Sequence, residues 1–210
     1  MDRRGFVGGV SAAALLLASG AAGQKKYDDG ASDSEIKIGH TGPYRGPASS
    51  LGIIGKCIEA YWKSVNEAGG VNGRKIRVII EDQAYQVPKA VQACNKLINR
   101  DKVFAFVAPL GTPMNNACFK EQFAVGVPNL FPLSAARSMY EPYERLKFYG
   151  AASYVDQVRS GIEYFVKNKG KKAVCVMYQD TDFGKEVLEG AELQTKKLGI
   201  KIVETTAHKP

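Results

Sequence analysis

The chain has 210 residues and carries 29 Lys and Arg against 21 Asp and Glu, a formal net charge of +8. That length holds one full domain, or one and a half. The basic residues are scattered, with no stretch interleaving them with aromatics, which argues against nucleic acid as a partner and leaves the charge as solubility or mild steering of an anionic ligand.

Residues 1–23 read as a secretory signal peptide: a basic head, Met1-Asp2-Arg3-Arg4, an apolar run through Val10 and Ala12 to Ala18, then small residues to Gly23. The run is too short to anchor in a bilayer. Arg3-Arg4-Gly5-Phe6-Val7 is close to the twin-arginine export pattern, with Asp2 where a Ser or Thr is usual. Residues 24–34 are a polar leader. The expected location is therefore periplasmic.

Glu35 to Gly39 alternates and reads as a first strand, followed by the turn-rich loop Thr41 to Pro47. A helix follows from about Leu51 to Ala68, with Ile54, Cys57, Ile58, Tyr61, Trp62 and Val65 on its inward face. Gly69-Gly70 ends it and Asn72-Gly73 makes a tight turn. Lys75 to Ile80 is a second strand and Asp82 to Gln86 its loop. Pro88 opens a helix to about Asn99, and Val103 to Val107 is a third strand. Thr112 has the chemistry of an N-cap and Pro113 suits the first position of the next helix. Asn129 to Phe131 is a fourth strand, which ends in Ser134-Ala135.

Strand–helix–strand repeated at this spacing means a doubly wound parallel α/β sheet, spanning residues 35–145. From about Tyr143 the pattern restarts: a short strand Lys147 to Tyr149, a helix Tyr154 to Asn168, a buried strand Lys172 to Tyr178, a helix Phe183 to Leu198 and a strand Lys201 to Thr206. Residues 146–210 thus read as an incomplete second α/β lobe.

In such a sheet the ligand lies beyond the carboxyl ends of the strands, at the switch point. Those ends carry Tyr44, Arg45, Tyr85, Gly111, Thr112, Ser134 and Ala135. Gly111 lets a backbone approach closely, and a strand turning sharply into a helix aims free amides at an anion. The set is rich in hydroxyls and rings and poor in nucleophile–base pairs, which is the chemistry of recognition and not of an enzyme. There is no Gly-x-Gly-x-x-Gly, phosphate loop or nucleophile elbow. Two histidines, His40 and His208, and no Cys-x-x-Cys spacing argue against a metal site, and no cofactor is called for. Asp180 and Asp182 read as loop and cap residues.

The winding sets the helices holding Cys94 and Cys118 side by side on one face of the sheet. A bridge between them requires the Cα atoms to lie close enough, so a disulfide and two free thiols are both open. Cys57 and Cys175 read as buried thiols.

From Glu35 to Thr206 the chain resembles the periplasmic solute-binding proteins of ABC importers, branched-chain amino acid type, with the type I periplasmic-binding fold. The resemblance rests on Ile36-Lys37-Ile38-Gly39 leading to Gly42-Pro43-Tyr44-Arg45-Gly46-Pro47-Ala48, on Asn66 to Ile76, and on Asp82, Gly111-Thr112, Ser134-Ala135 and Asp182-Phe183-Gly184. It implies two lobes closing on a small ligand, a monomer that docks on a permease of the inner membrane, and no catalysis. By position, Thr112, Ser134 and Ala135 would hold a ligand carboxylate or carbonyl, while Leu51 and Tyr85 line the pocket. Phe183 stands where the second lobe often offers a Tyr ring. Arg45 replaces a small residue and Leu51 a common Tyr. Arg45 either selects an anionic ligand or points to solvent, while Phe183 and Leu51 in place of tyrosines point to a ligand more apolar than a simple amino acid, with aromatic acids, amides and urea-like solutes open. Family members are longer, so the chain reads as a fragment or a truncated product. A ligand-sensing domain of a receptor on the same fold is the alternative.

Overall fold

Residues 26–210 are described by the structure, a computed structural model; the signal-peptide reading lies outside them. Alternation of Ile36 and Ile38 with polar neighbours gives β1 (Glu35–Gly42), which pairs in parallel with β2 (Lys75–Asp82) along its whole length. Between them runs α1 (Ile53–Glu67), entered through a 3-10 turn at Ser49–Gly52. α2 (Val87–Asn95) continues into a π turn at Lys96–Arg100 before β3 (Ala105–Val107). α3 (Thr112–Ala124), β4 (Asn129–Leu130) and β5 (Lys147–Phe148) complete a five-stranded parallel sheet of order β2-β1-β3-β4-β5. The order reverses between β1 and β3, which is the switch point.

Right-handed crossovers put α2 and α3 on one face and α1 on the other. The core between α2, α3 and the sheet holds Leu97, Val103, Phe106 and Val127. A disulfide joins Cys94 to Cys118 through it, with Cα atoms 6.2 Å apart. The two cysteines are 2% and 6% exposed, so the bridge sits inside the core.

The glycine-rich segment after α1 has a structural cause. The Asn66 amide donates to the Ile76 carbonyl and its oxygen accepts the Ile76 N–H, both at 2.8 Å, stitching the helix end to β2. Gly70 sits at φ +76°, and a Cβ there would stand 2.1 Å from the Arg74 carbonyl.

The second unit contains α4 (Tyr154–Lys169), β6 (Ala173–Gln179), α5 (Asp182–Leu198) and β7 (Lys201–His208), with β6 and β7 paired in parallel. α4 and α5 pack so closely that a Cβ on Gly190 would lie 2.8 Å from the Val155 carbonyl.

Five expectations change, beginning with Tyr61, expected on the inward face of α1 and found 63% exposed. Strand Lys147–Phe148, expected to open the second lobe, pairs with β4 in the first sheet. β6 is not a strand buried on both faces: Val176 is covered by helices, but Ala173, Cys175 and Met177 face outward. Cys175 is therefore exposed, as is Cys57, which falls beside the stripe of α1 (Ile54, Ile58, Trp62) that leans on the sheet. Thr112 is the first helical residue of α3, not its cap; Gly111 holds the cap position with no side-chain bond.

Candidate ligand-binding site

Asp82, at the end of β2, organises two of the strand-end loops. Its carboxylate accepts the N–H of Tyr44 at 2.9 Å and of Ala84 at 2.8 Å, and Arg45 Nε at 2.6 Å. Burial pushes the Asp82 carboxyl up, but these donors outweigh it and hold it below the usual carboxylate range. The Tyr44 ring then turns back into the fold. Its hydroxyl packs on Gly55, where a Cβ would stand 1.5 Å away. Burial, with Glu59 and Asp82 nearby, raises that phenol to about 12. Beneath it His40 is buried, its Nδ1 3.1 Å from the Val107 carbonyl; desolvation pulls its pKa down against the backbone bonds.

The loop after β2 passes through two left-handed residues, Ala84 (φ +46°) and Tyr85 (φ +55°). Below them the Gln83 amide, fully buried, donates to the Leu110 carbonyl at 2.9 Å. The Tyr85 ring consequently lies over Gly111, whose φ of +98° only glycine adopts readily. From β3 the chain turns into α3, and the Asn115 amide ties the turn by donating to the carbonyls of Pro109 and Gly111. From β4 comes Ser134, whose Oγ is 2.7 Å from Thr112 Oγ1. In the first turn of α3 Pro113 has no N–H and the Asn115 N–H donates to the Gly111 carbonyl at 3.1 Å, which leaves the amides of Thr112 and Met114 without an intrahelical acceptor.

The second unit closes over the same rim. The Ala135 carbonyl accepts the N–H of Tyr154 at 2.8 Å, and Tyr85 Oη donates to Gln179 Oε1 at 3.3 Å. Asn116 Nδ2 donates to Asp182 Oδ2 at 2.9 Å. Glu186 accepts the backbone N–H of Arg137 with both oxygens, at 2.9 and 3.1 Å, and the Arg137 guanidinium pairs with Glu189. Burial raises the Glu186 carboxyl. Gly184 lets α5 begin against β6, since a Cβ there would stand 1.9 Å from the Gln179 carbonyl. That close start presents Phe183 to Tyr154, edge to face, with ring centroids 4.8 Å apart.

Between these groups lies a cleft of ≈ 260 Å³. Leu51, Tyr85, Gly111, Thr112 and Phe183, all expected at the site, line it together with Ile54, Leu110, Leu133 and Tyr154. No lining side chain is charged. Larger depressions of ≈ 560 Å³ lie away from the strand ends, one between α1 and β2 beside Trp62 and Lys75, the other near Asp28 and Phe104. Among the described residues no cluster of His, Cys, Asp or Glu could hold a metal, and no helix is long and apolar enough to cross a membrane.

The sequence profile of periplasmic binding proteins matches residues 35–210. The chain belongs to that family. It has the type I periplasmic-binding fold, and the curated relatives it matches include Leu/Ile/Val-binding protein homologues from Brucella. It is 26% identical over 177 residues to an amino acid binding protein of Pseudomonas aeruginosa, covering 81% of this chain and 46% of the relative. The chain thus spans about half the length of the curated relatives it matches. Its fold is that of a branched-chain amino acid transporter substrate-binding protein from Streptococcus pneumoniae solved with isoleucine (TM-score 0.74, 22% identity, 84% of this chain and 50% of that one). It is also that of an ABC transporter solute-binding protein from R. palustris solved with benzoate (TM-score 0.75, 21% identity, 84% and 49%). The family and these neighbours are binding proteins, not enzymes.

Against that family frame, the expected site residues divide into three groups. Leu51, Tyr85, Gly111, Thr112 and Phe183 meet in the cleft. Ser134 and Ala135 stand immediately behind it, through the Thr112 hydroxyl and the Tyr154 amide. Tyr44 and Arg45 are outside the lining: Tyr44 is held by Gly55 and Asp82, and Arg45, 79% exposed at its side chain, pairs with Asp82. Tyr154, Ile54, Leu110 and Leu133 were not anticipated. For Tyr154 the available signal was an aromatic residue directly after Ser153, whose hydroxyl caps α4 by accepting the Asp156 N–H.

Proposed function

We propose that this chain is part of the solute-binding component of an ABC importer, binding a small solute between two lobes and delivering it to a membrane permease. The solute is an amino acid, an amide or an aromatic acid. The protein acts in the periplasm as a monomer, exported by a cleaved signal peptide. The single observation that carries the reading is the convergence on one cleft of the ends of β2, β3 and β4 with Tyr154 and Phe183 of the second unit. The likeness to an amino acid binding protein, and to folds solved with isoleucine and benzoate, supports the solute class. At the α3 end of the cleft, Thr112, Ser134 and the first-turn amides would hold a carboxylate or carbonyl.

A thermal-shift panel of amino acids, aromatic acids and amides tests the reading. A solute that binds only the folded chain stabilises it by about 2.7 kcal/mol at a hundred times its dissociation constant. At least one class is expected to raise the melting temperature, and a panel with no shift refutes the proposal.

A further inference from the structure

We infer that the end of the second unit opposite the cleft is a docking face for an anionic phospholipid bilayer. The inference stands apart from the solute-binding reading, since it uses none of the cleft residues.

Basic residues are scattered along the sequence, and the winding gathers six of them. α4 leads into β6 and α5 into β7, so the two helices run the same way beside two parallel strands. Arg159 Nε donates to Gln194 Oε1 at 3.3 Å, and Gln194 Nε2 donates to Glu163 Oε2 at 3.1 Å. These bonds hold the two C-terminal ends level. Lys169 closes α4, and Lys196 and Lys197 stand in the last turn of α5. Ala173 pairs with Lys201, so β6 and β7 begin at that same end. Lys171 and Lys172 lead into β6, and Lys201 opens β7. All six lysines are exposed. The cleft residue Phe183 lies at the start of α5, so the 17-residue helix, about 25 Å long, separates it from this end.

Helix termini account for only part of the charge. Cations in a last turn complement the macrodipole, which explains Lys169, Lys196 and Lys197. Lys171, Lys172 and Lys201 lie beyond the helices, where no dipole calls for them. The two helices share one positive field. The Glu163 carboxyl is held below its usual range first by its bond to Lys167, and also by the charge of Lys197 on the neighbouring helix. Glu192 and Glu204 are set back from the end, by about one turn of α5 and about 10 Å of β7.

The residue type points to the occupant. Fixed recognition of a single phosphate favours the planar fork of Arg or a backbone cradle. Six lysines on four segments are instead point charges on flexible stems, which suit a surface of many equivalent phosphates. Tyr164 adds an amphipathic ring of the kind that sits at headgroup level, with the Lys169 ammonium 5.9 Å from its centroid.

Flotation of the 210-residue chain with phosphatidylcholine vesicles, with and without about 30% phosphatidylglycerol, tests this. Binding is expected on the anionic vesicles alone and should fall as salt rises. Lys171→Gln, Lys172→Gln and Lys201→Gln together should weaken it by about a hundredfold, at about fivefold per lysine. Lys56→Gln, Lys89→Gln and Lys120→Gln remove the same charge from exposed positions of the first unit and should change binding by less than about threefold. Residues 1–23 are common to all three proteins, so the basic head cancels from the comparison. Acylation of the unsubstituted chain keeps the test free of any folding defect: anionic vesicles should protect Lys171, Lys172 and Lys201 and leave Lys56, Lys89 and Lys120 reactive. Equal weakening of the two variants, uniform acylation, equal flotation on phosphatidylcholine alone or no flotation overturns the inference. So does retention on polyglutamate without flotation, which makes the partner an acidic polymer. None of these outcomes bears on the thermal-shift test of solute binding.

Discussion

Thr112 Oγ1 and Ser134 Oγ lie 2.7 Å apart in a site where Thr112 is 2% and Ser134 5% exposed, so the ends of β3 and β4 are joined by a buried hydroxyl pair that backs the cleft. Each hydroxyl fixes the rotamer of the other. Ser134 Oγ also accepts the Ala136 N–H at 3.3 Å, which passes the constraint on to the turn that leads toward Tyr154. Thr112→Ala or Ser134→Ala should each weaken the bound solute by about tenfold. Removing the Ser134 hydroxyl leaves Thr112 Oγ1 without this partner, and removing the Thr112 hydroxyl leaves Ser134 Oγ with the Ala136 N–H alone, so either change loosens the pair at a cost of about 1–3 kcal/mol. Titration of the solute found in the thermal-shift panel reads this directly, and unchanged affinity in both variants would remove Thr112 and Ser134 from the site.

The contact between Tyr44 and Gly55 predicts an unusual pair of stabilities. A Cβ on Gly55 would stand 1.5 Å from Tyr44 Oη and 2.7 Å from Cζ, so Gly55→Ala should destabilise by about 1–3 kcal/mol despite alanine's better helix propensity. Tyr44 Oη is itself buried without a hydrogen-bond partner, so Tyr44→Phe should be neutral or stabilising. The double variant should recover part of the loss, because only the hydroxyl overlap is relieved. Urea midpoints of the four proteins check this.

The core disulfide closes a loop between residues 24 apart. Replacing both Cys94 and Cys118 by Ala should cost about 3.5 kcal/mol by the chain-entropy argument, before any packing loss. In the native, unreduced chain a thiol reagent should modify Cys57 and Cys175 and leave the bridged pair untouched, since both free thiols are exposed. Mass spectrometry of the labelled peptides checks the pairing, and label on Cys94 or Cys118 would contradict it.

Asp82 predicts an acid limit to stability. Its folded pKa is lowered, so it binds fewer protons folded than unfolded through the window below its ordinary value. Its contribution is therefore complete above the unfolded carboxylate range and is lost as pH falls through the folded pKa. Melting temperature should drop on acidification through that window. Asp82→Asn, which keeps one acceptor for the Tyr44 and Ala84 amides but loses the charge, should be less stable at neutral pH and show a flatter acid limb. An unchanged limb would assign the acid sensitivity to other groups.

Much of this architecture is legible in the residues because hydrophobic period reports directly on element type and face. The alternation at Ile36 and Ile38, the helical stripe at Ile54, Ile58 and Trp62, and Cys94 with Leu97 and Ile98 all appear where expected. A two-residue strand has no period, so nothing in Lys147–Phe148 itself reveals that it pairs with β4 in the first sheet. Period also cannot tell whether a face is covered, and Cys57 and Cys175 turned on that.

At the site the division is similar. Winding order alone places the loops of Tyr85, Thr112 and Ser134 at one edge, because right-handed parallel connections leave them nowhere else to go. Side-chain direction in those loops depends on contacts remote in sequence. Gly55 turns Tyr44 inward, Asp82 holds Arg45 aside, and Gly184 sets α5 so that Phe183 meets Tyr154. The sequence by itself determined the family, the parallel winding and the edge at which the strand-end loops gather, since these follow from local pattern and chain order. Only the tertiary structure decided which rings line the cleft and which acids are already paired, because those depend on packing between segments that the pattern of either one does not contain.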